Sequence, residues 1–180
     1  MIKDFDLLQR ANNDYTTIDL EHAEELAYRE LIDSIRYISL GDECGVMGNI
    51  ANIITYKGRF YIQEEQFDRV FIYDDTGRCL KKIDNKGRGP GEYLRIESID
   101  INTEKEELML VDGMSDKLFF YDLDGNFKSI HSIRYFQTEN TLCLRDSVFL
   151  HISAPSQNFG NEGLYGYALV LSKGNENFLK

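Results

Sequence analysis

Shifting the chain by 48 residues lays Phe60–Gly77 (FYIQEEQFDRVFIYDDTG) on Leu108–Gly125 (LMLVDGMSDKLFFYDLDG) without a gap. Asp68 meets Asp116, Phe71 meets Phe119, Tyr73 meets Tyr121, Asp74 meets Asp122 and Gly77 meets Gly125. Ile62/Leu110, Glu64/Asp112, Arg69/Lys117 and Val70/Leu118 keep their character, and Ile53 and Thr55 fall on Ile101 and Thr103. A segment used twice in this way is one supersecondary unit. It cannot cover its apolar faces alone, so it stacks on its copy.

Each unit holds about four strand-like runs, the number a propeller blade carries. In the first they are Asn49–Tyr56, Arg59–Gln63, Arg69–Tyr73 and Arg78–Ile83; in the second, Ile99–Asn102, Glu107–Val111, Lys117–Tyr121 and Phe127–Ile133. Lys57-Gly58, Glu65–Asp68, Asp74–Gly77 and Asp124-Gly125-Asn126 supply the turn chemistry of hairpins. A weaker third unit starts near Gln137 with Thr141–Arg145, Val148–Ile152 and Tyr167–Leu171. It turns at Lys173-Gly174-Asn175 and ends at Lys180, where its fourth strand is expected only to begin. Four-stranded antiparallel units of about 40–50 residues in tandem predict blades; a plain meander or sandwich is the alternative.

The fold expected is therefore all-β, a β-propeller-like arc of about three four-stranded antiparallel blades with a short N-terminal helical segment. The blades are placed at approximately residues 47–86, 94–135 and 137–180, after an N-terminal segment of residues 1–40. In that segment, Leu20, Ala23, Ala27, Leu31 and Ile35 recur at helical spacing, predicting a helix over 20–35. Tyr37–Leu40 then reads as an entry strand, with a turn at Gly41-Asp42.

Twenty Lys and Arg against 31 Asp and Glu leave a net charge of −11, which offers no electrostatic footprint for nucleic acid. No apolar run reaches the roughly 18 residues of a membrane span. The opening MIKDFDLLQR lacks the apolar stretch of a signal peptide. Cys44, Cys79 and Cys143 are too few for a disulfide framework or a paired zinc motif, and at most one bridge can form. Cys79 and Cys143 sit in apolar–polar alternation, the pattern of small buried hydrophobes. His22, His131 and His151 have no ligand spacing. No cofactor, metal or catalytic residue is expected.

Gly87-Arg88-Gly89-Pro90-Gly91-Glu92-Tyr93, between the first two units, is the most specific motif of the chain. With Ile99-Asp100-Ile101, Leu108–Asp112 and Leu118–Gly125 it resembles the bacterial six-bladed β-propeller family related to NHL repeats. Members often carry a G-x-G-P-G-E-Y interblade loop and an aromatic-Asp-x-x-Gly hairpin, and Ile35–Leu40 resembles their entry strand. The resemblance covers roughly Asp33–Gly174, half of a six-blade ring, without the family's export signal or lipidation cysteine. It implies an extracytoplasmic protein, periplasmic or cell-surface, that binds a ligand rather than an established enzyme. Pairing of two chains into a six-blade homodimer is one way to complete such a ring.

The Gly87–Tyr93 loop reads chiefly as a structural interblade connector, although its glycines and Arg88 could also meet a carboxylate or phosphate. No helix follows it, so it is not a nucleotide phosphate loop. The Asp122–Asn126 stretch fails the calcium-loop pattern, because Phe127 and Ile133 stand where Gly and Glu are required. The Ala154–Gly166 insertion carries Asn158, Phe159, Asn161 and Tyr165, the residues expected to touch a ligand or partner. Polar residues on the innermost strands are Asn52, Asp100 and Arg145, thin support for a channel hydrolase or lyase. The leading expectation is a non-catalytic binding or protein-interaction module whose partner is a protein or small molecule. A truncated fragment without separate activity is the remaining alternative.

Overall fold

The computed structural model describes residues 32–133, 140–145, 148–152, 169–173 and 176–179. The chain divides into two compact units, residues 1–37 and 38–180. In the first, the described residues Ile32–Tyr37 are exposed and form neither helix nor strand. The rest of the expected helix, residues 20–31, lies outside the described residues.

The second unit is built from strands alone among its described residues. They are β1 (Ile50–Tyr56), β2 (Arg59–Glu64), β3 (Arg69–Asp74), β4 (Cys79–Ile83), β5 (Ser98–Asn102), β6 (Glu107–Asp112), β7 (Lys117–Asp122), β8 (Phe127–Ser132), β9 (Asn140–Arg145), β10 (Val148–Ile152), β11 (Leu169–Lys173) and β12 (Glu176–Leu179). They form three four-stranded sheets in chain order, β1–β4, β5–β8 and β9–β12, every pairing antiparallel. These are blades 1, 2 and 3. Blade 3 has its fourth strand in β12, earlier than expected, with Glu176 opposite Lys173 and Leu179 opposite Leu171.

The 48-residue repeat is exact in the second and third strands. Arg59 pairs with Asp74 and Glu64 with Arg69 in blade 1; Glu107 pairs with Asp122 and Asp112 with Lys117 in blade 2. It fails in the first strand, where the expected equivalence of Ile53 and Thr55 with Ile101 and Thr103 breaks down. Ile53 faces Ile62, whereas Leu110, the counterpart of Ile62, faces Ile99. The cause is a longer β5–β6 loop, Thr103–Glu106, in place of Lys57-Gly58.

Apolar side chains on both faces of each blade make the stacking. Tyr61, Val70 and Ile72 of blade 1 join Ile99, Ile101, Leu108, Leu110, Phe119 and Tyr121 of blade 2 in one buried cluster. The other face of blade 2, through Met109, Val111, Leu118 and Phe120, closes on Phe149 and Val170 of blade 3. First strands adjoin from blade to blade: the Cys143 amide donates to Asp100 Oδ2 at 2.6 Å, and the Thr141 amide to Ser98 Oγ at 3.4 Å.

The outer face of blade 1 (Ile62, Phe71, Tyr73) is packed by Cys44 and Met47 from the segment before β1. A Cys44–Cys79 disulfide fastens that segment, so Cys79 is not the inert packing residue its alternation suggested. Sequence spacing carried no sign that a loop residue would return to β4. Nor is Tyr37–Leu40 a strand: Tyr37 is 93% exposed, and the chain instead crosses Gly77, where the Gly41 amide donates to the Gly77 carbonyl at 2.7 Å. A turn does follow, closed by Gly45 N–H on the Asp42 carbonyl.

Candidate functional site

Antiparallel order sends the β2–β3 and β6–β7 hairpins and the interblade connector to one rim, and the β1–β2 and β3–β4 type hairpins to the other. The second rim is bound up in its own contacts. Asp74 Oδ1 accepts the Thr76 and Arg78 amides, and Asp122 Oδ1 accepts those of Asp124 and Asn126. Hydrogen bonds from Thr76 and Arg78 hold the Asp74 carboxyl down to about 2. This is a turn lock repeated in both blades, as the hairpin reading of Asp122–Asn126 expects. A cleft of about 440 Å³ lies there, but Lys57 pairs with Glu106, Arg59 with Asp124, and Asp122 is taken up by the amides of its own turn.

The first rim holds the Gly87–Tyr93 connector. Tyr93 is fully buried, and its hydroxyl donates to the Asp68 carbonyl and accepts the Asn85 amide at 3.1 Å. The Gly87 amide donates to the Tyr93 carbonyl at 2.9 Å and the Tyr93 amide to that of Asn85 at 3.2 Å. Glu92 folds back so that its carboxylate accepts the Gly89 amide at 2.7 Å. A methyl group on Gly87 would collide with that carboxylate. The glycine cradle is thus filled by an anion of the same loop, while Pro90 and Gly91 (φ 84°) make the bend between.

Buried carboxylates fasten the connector to the neighbouring hairpins. Asp68 Oδ1 accepts the Ile96 amide at 3.1 Å, and its other oxygen pairs with Lys86. Asp112, 1% exposed, accepts the Met114 and Ser115 amides and, from the connector, the Leu94 amide at 2.7 Å. Asp68 and Arg69 do not pair with each other; Arg69 Nε donates to the buried Glu64 at 3.0 Å.

Beside this loop opens a cleft of about 410 Å³ lined by Lys86, Gly87, Arg88, Leu94 and Met114. Leu94 and the exposed thioether of Met114 make its walls apolar. Arg88 is exposed and, among the described residues, makes no hydrogen bond or ion pair, whereas Lys86 is held by Asp68. β10 ends and β11 begins at this same rim. The residues between them, with Asn158, Phe159, Asn161 and Tyr165, lie outside the described residues.

Sequence reasoning missed a polar chain inside blade 3. His151, 1% exposed, meets Thr141 Oγ1 at 2.9 Å through Nδ1 and Ser172 Oγ at 2.6 Å through Nε2. Burial pushes its imidazole down to about 4, so it is neutral near pH 7. The alternation Thr-x-Cys, Phe-x-His and Val-x-Ser placed these groups on one inward face, but a lone histidine carried no signal of its partners. Burial, with Asp100 nearby, raises the free Cys143 thiol to about 11, which disfavours its thiolate near pH 7. On the innermost strands, Asp100 bonds Cys143 N–H and Asn102 Oδ1 accepts the Glu104 and Lys105 amides. The Arg145 side chain lies outside the described residues. Among the described residues no group of three His, Cys, Asp or Glu converges on one point, and no helix is long and apolar enough to cross a membrane.

Residues 15–179 match the model of a domain of unknown function, DUF4934. No curated protein matches the chain. Among solved structures, BF0058 of Bacteroides fragilis NCTC 9343, described as exported, superposes with a TM-score of 0.70 at 20% identity. The match covers 82% of this chain and 42% of that one, so the chain spans less than half its length. U3-55K superposes with a TM-score of 0.53 at 11% identity, over 73% of this chain and 39% of that one. Both likenesses are of fold alone.

Proposed function

We propose that this chain, which belongs to the DUF4934 family, is a non-catalytic binding module of the NHL-like, six-bladed propeller type that works outside the cytoplasm. The Gly87–Tyr93 loop is its interblade connector, and the cleft beside it is where a ligand sits. One observation carries the reading: the unpaired Arg88 guanidinium stands over an apolar cleft walled by Leu94 and Met114. A guanidinium there suits a carboxylate or phosphate, and the walls suit an apolar group attached to it. The disulfide and the exported relative support an oxidising location.

The test titrates hexanoate and its uncharged amide into the protein while following the Met114 methyl resonance. Hexanoate is expected to move that resonance, hexanamide to move it far less, and Arg88→Gln to abolish the difference. A Met114 methyl blind to both molecules at millimolar concentration overturns the assignment.

A further inference from the structure

The chain carries four methionines, Met1, Met47, Met109 and Met114. Met1 lies outside the described residues, and the other three meet solvent very differently. Met109 is fully buried where blade 2 packs on blade 3, and Met47 packs inward from the strap against blade 1. Met114, on the β6–β7 hairpin, is 64% exposed. Its counterpart at the 48-residue shift is Gln66, so the hairpin itself does not require an apolar side chain here. A single buried carboxylate holds the thioether in place: Asp112 accepts the Met114 amide at 3.0 Å through one oxygen and the Leu94 amide at 2.7 Å through the other. Asp112 thus fixes both apolar walls of the cleft that Arg88 lines. The Arg88 guanidinium makes no hydrogen bond or ion pair among the described residues.

We propose that Met114 is an oxidation site and that its sulfoxide closes this cleft to an apolar anion; the closing rests on the cleft being the ligand site proposed above. The oxidant is a hydroperoxide. The sulfur lone pair attacks one peroxide oxygen, and the S–O bond forms as the O–O bond breaks. The proton of the transferred oxygen passes to the leaving oxygen, so sulfur is oxidised and hydrogen peroxide is reduced to water. The product is polar where the thioether was apolar. Its oxygen also brings a hydrogen-bond acceptor into a cleft whose guanidinium has none. One chemical change therefore spoils the apolar wall and occupies the cation.

The folded protein is treated with hydrogen peroxide, and peptide mapping by mass spectrometry follows each methionine. Met114 is expected to gain one oxygen about tenfold faster than Met47 or Met109. A common rate for the three, or oxidation first at Met47 or Met109, overturns the proposal. In the singly oxidised protein the Arg88 Nε–H resonance is expected to shift and to exchange more slowly with water; an unmoved resonance overturns the proposal as well. Hexanoate is expected to shift the Leu94 methyl resonances of untreated protein. The shift is expected to vanish after oxidation and in Met114→Gln, which sets a polar side chain of similar length at the same place. Met114→Leu is expected to keep the response and to lose its sensitivity to peroxide. Hexanoate that acts on oxidised protein as before overturns the closing. Leu94 methyl groups silent in untreated protein, with Met114 oxidised first and the Arg88 resonance moved, remove the ligand reading and support the oxidation site.

Discussion

The Tyr93 hydroxyl donates to the Asp68 carbonyl at 2.8 Å, tying the connector's side chain to the backbone of the β2–β3 hairpin. Because the same oxygen accepts the Asn85 amide, one atom satisfies two backbone groups at the junction of blades 1 and 2. Tyr93→Phe leaves the ring packed edge-on to Phe119 but strips both groups of their partner. The expected loss is about 1–3 kcal/mol, the penalty for buried groups left unsatisfied, read from urea midpoints.

Two glycines separate backbone strain from close approach. Gly58 has φ 71° with open space where a Cβ would stand, so Gly58→Ala is expected to cost only about 1 kcal/mol. Gly77 has φ 88°, and its Cβ would collide with the Ser39 carbonyl oxygen. Gly77→Ala therefore also lifts the crossing segment and its Gly41–Gly77 hydrogen bond, for a loss of about 2–3 kcal/mol. Equal urea midpoints for the two variants would contradict this account.

The Cys44–Cys79 bond spans 35 residues of sequence. On chain-entropy grounds its loss costs about 3–4 kcal/mol. Reduction, or Cys44→Ala with Cys79→Ala, is expected to lower the melting temperature by that equivalent and to expose Tyr73 to solvent. A melt insensitive to reductant would mean that packing by Met47 suffices to hold the strap.

His151 predicts a pH dependence. Its folded value of about 4 lies below the ordinary 6.5, so the unfolded chain binds the proton more readily. This contribution is complete above about pH 6.5 and is lost as pH falls toward 4, amounting to at most about 3 kcal/mol. Urea midpoints at pH 7.5 and pH 5 are expected to diverge more for the native chain than for His151→Gln. Parallel lines would remove His151 from the acid sensitivity.

The repeat made the blades legible because identical turn chemistry produces identical registers: Asp74 and Asp122 each lock the hairpin that ends in Gly77 or Gly125. What stayed hidden depended on contacts across sequence that no local pattern encodes. Cys79 and Cys143 looked alike as small residues in alternating strands, although one is bridged to Cys44 in a loop and the other is free. Glu92 was legible as an acceptor of backbone hydrogen bonds, and by taking the Gly89 amide it leaves Arg88, rather than the loop amides, as the group facing solvent. The failure of the repeat at Thr103 had the same origin, since a loop lengthened by two residues changes register without altering strand composition.

The disulfide joins sulfurs that lie on either side of β1–β3 in sequence, and its formation needs nothing downstream of Cys79. A chain that emerges N-terminus first presents both sulfurs before any of the connector has appeared. Blade 1 is thereby, among the described residues, the blade whose outer face is fastened by a covalent bond. Its Tyr61, Val70 and Ile72 face, the one that meets blade 2, thus belongs to a blade fastened by a covalent link that involves no residue of blades 2 or 3.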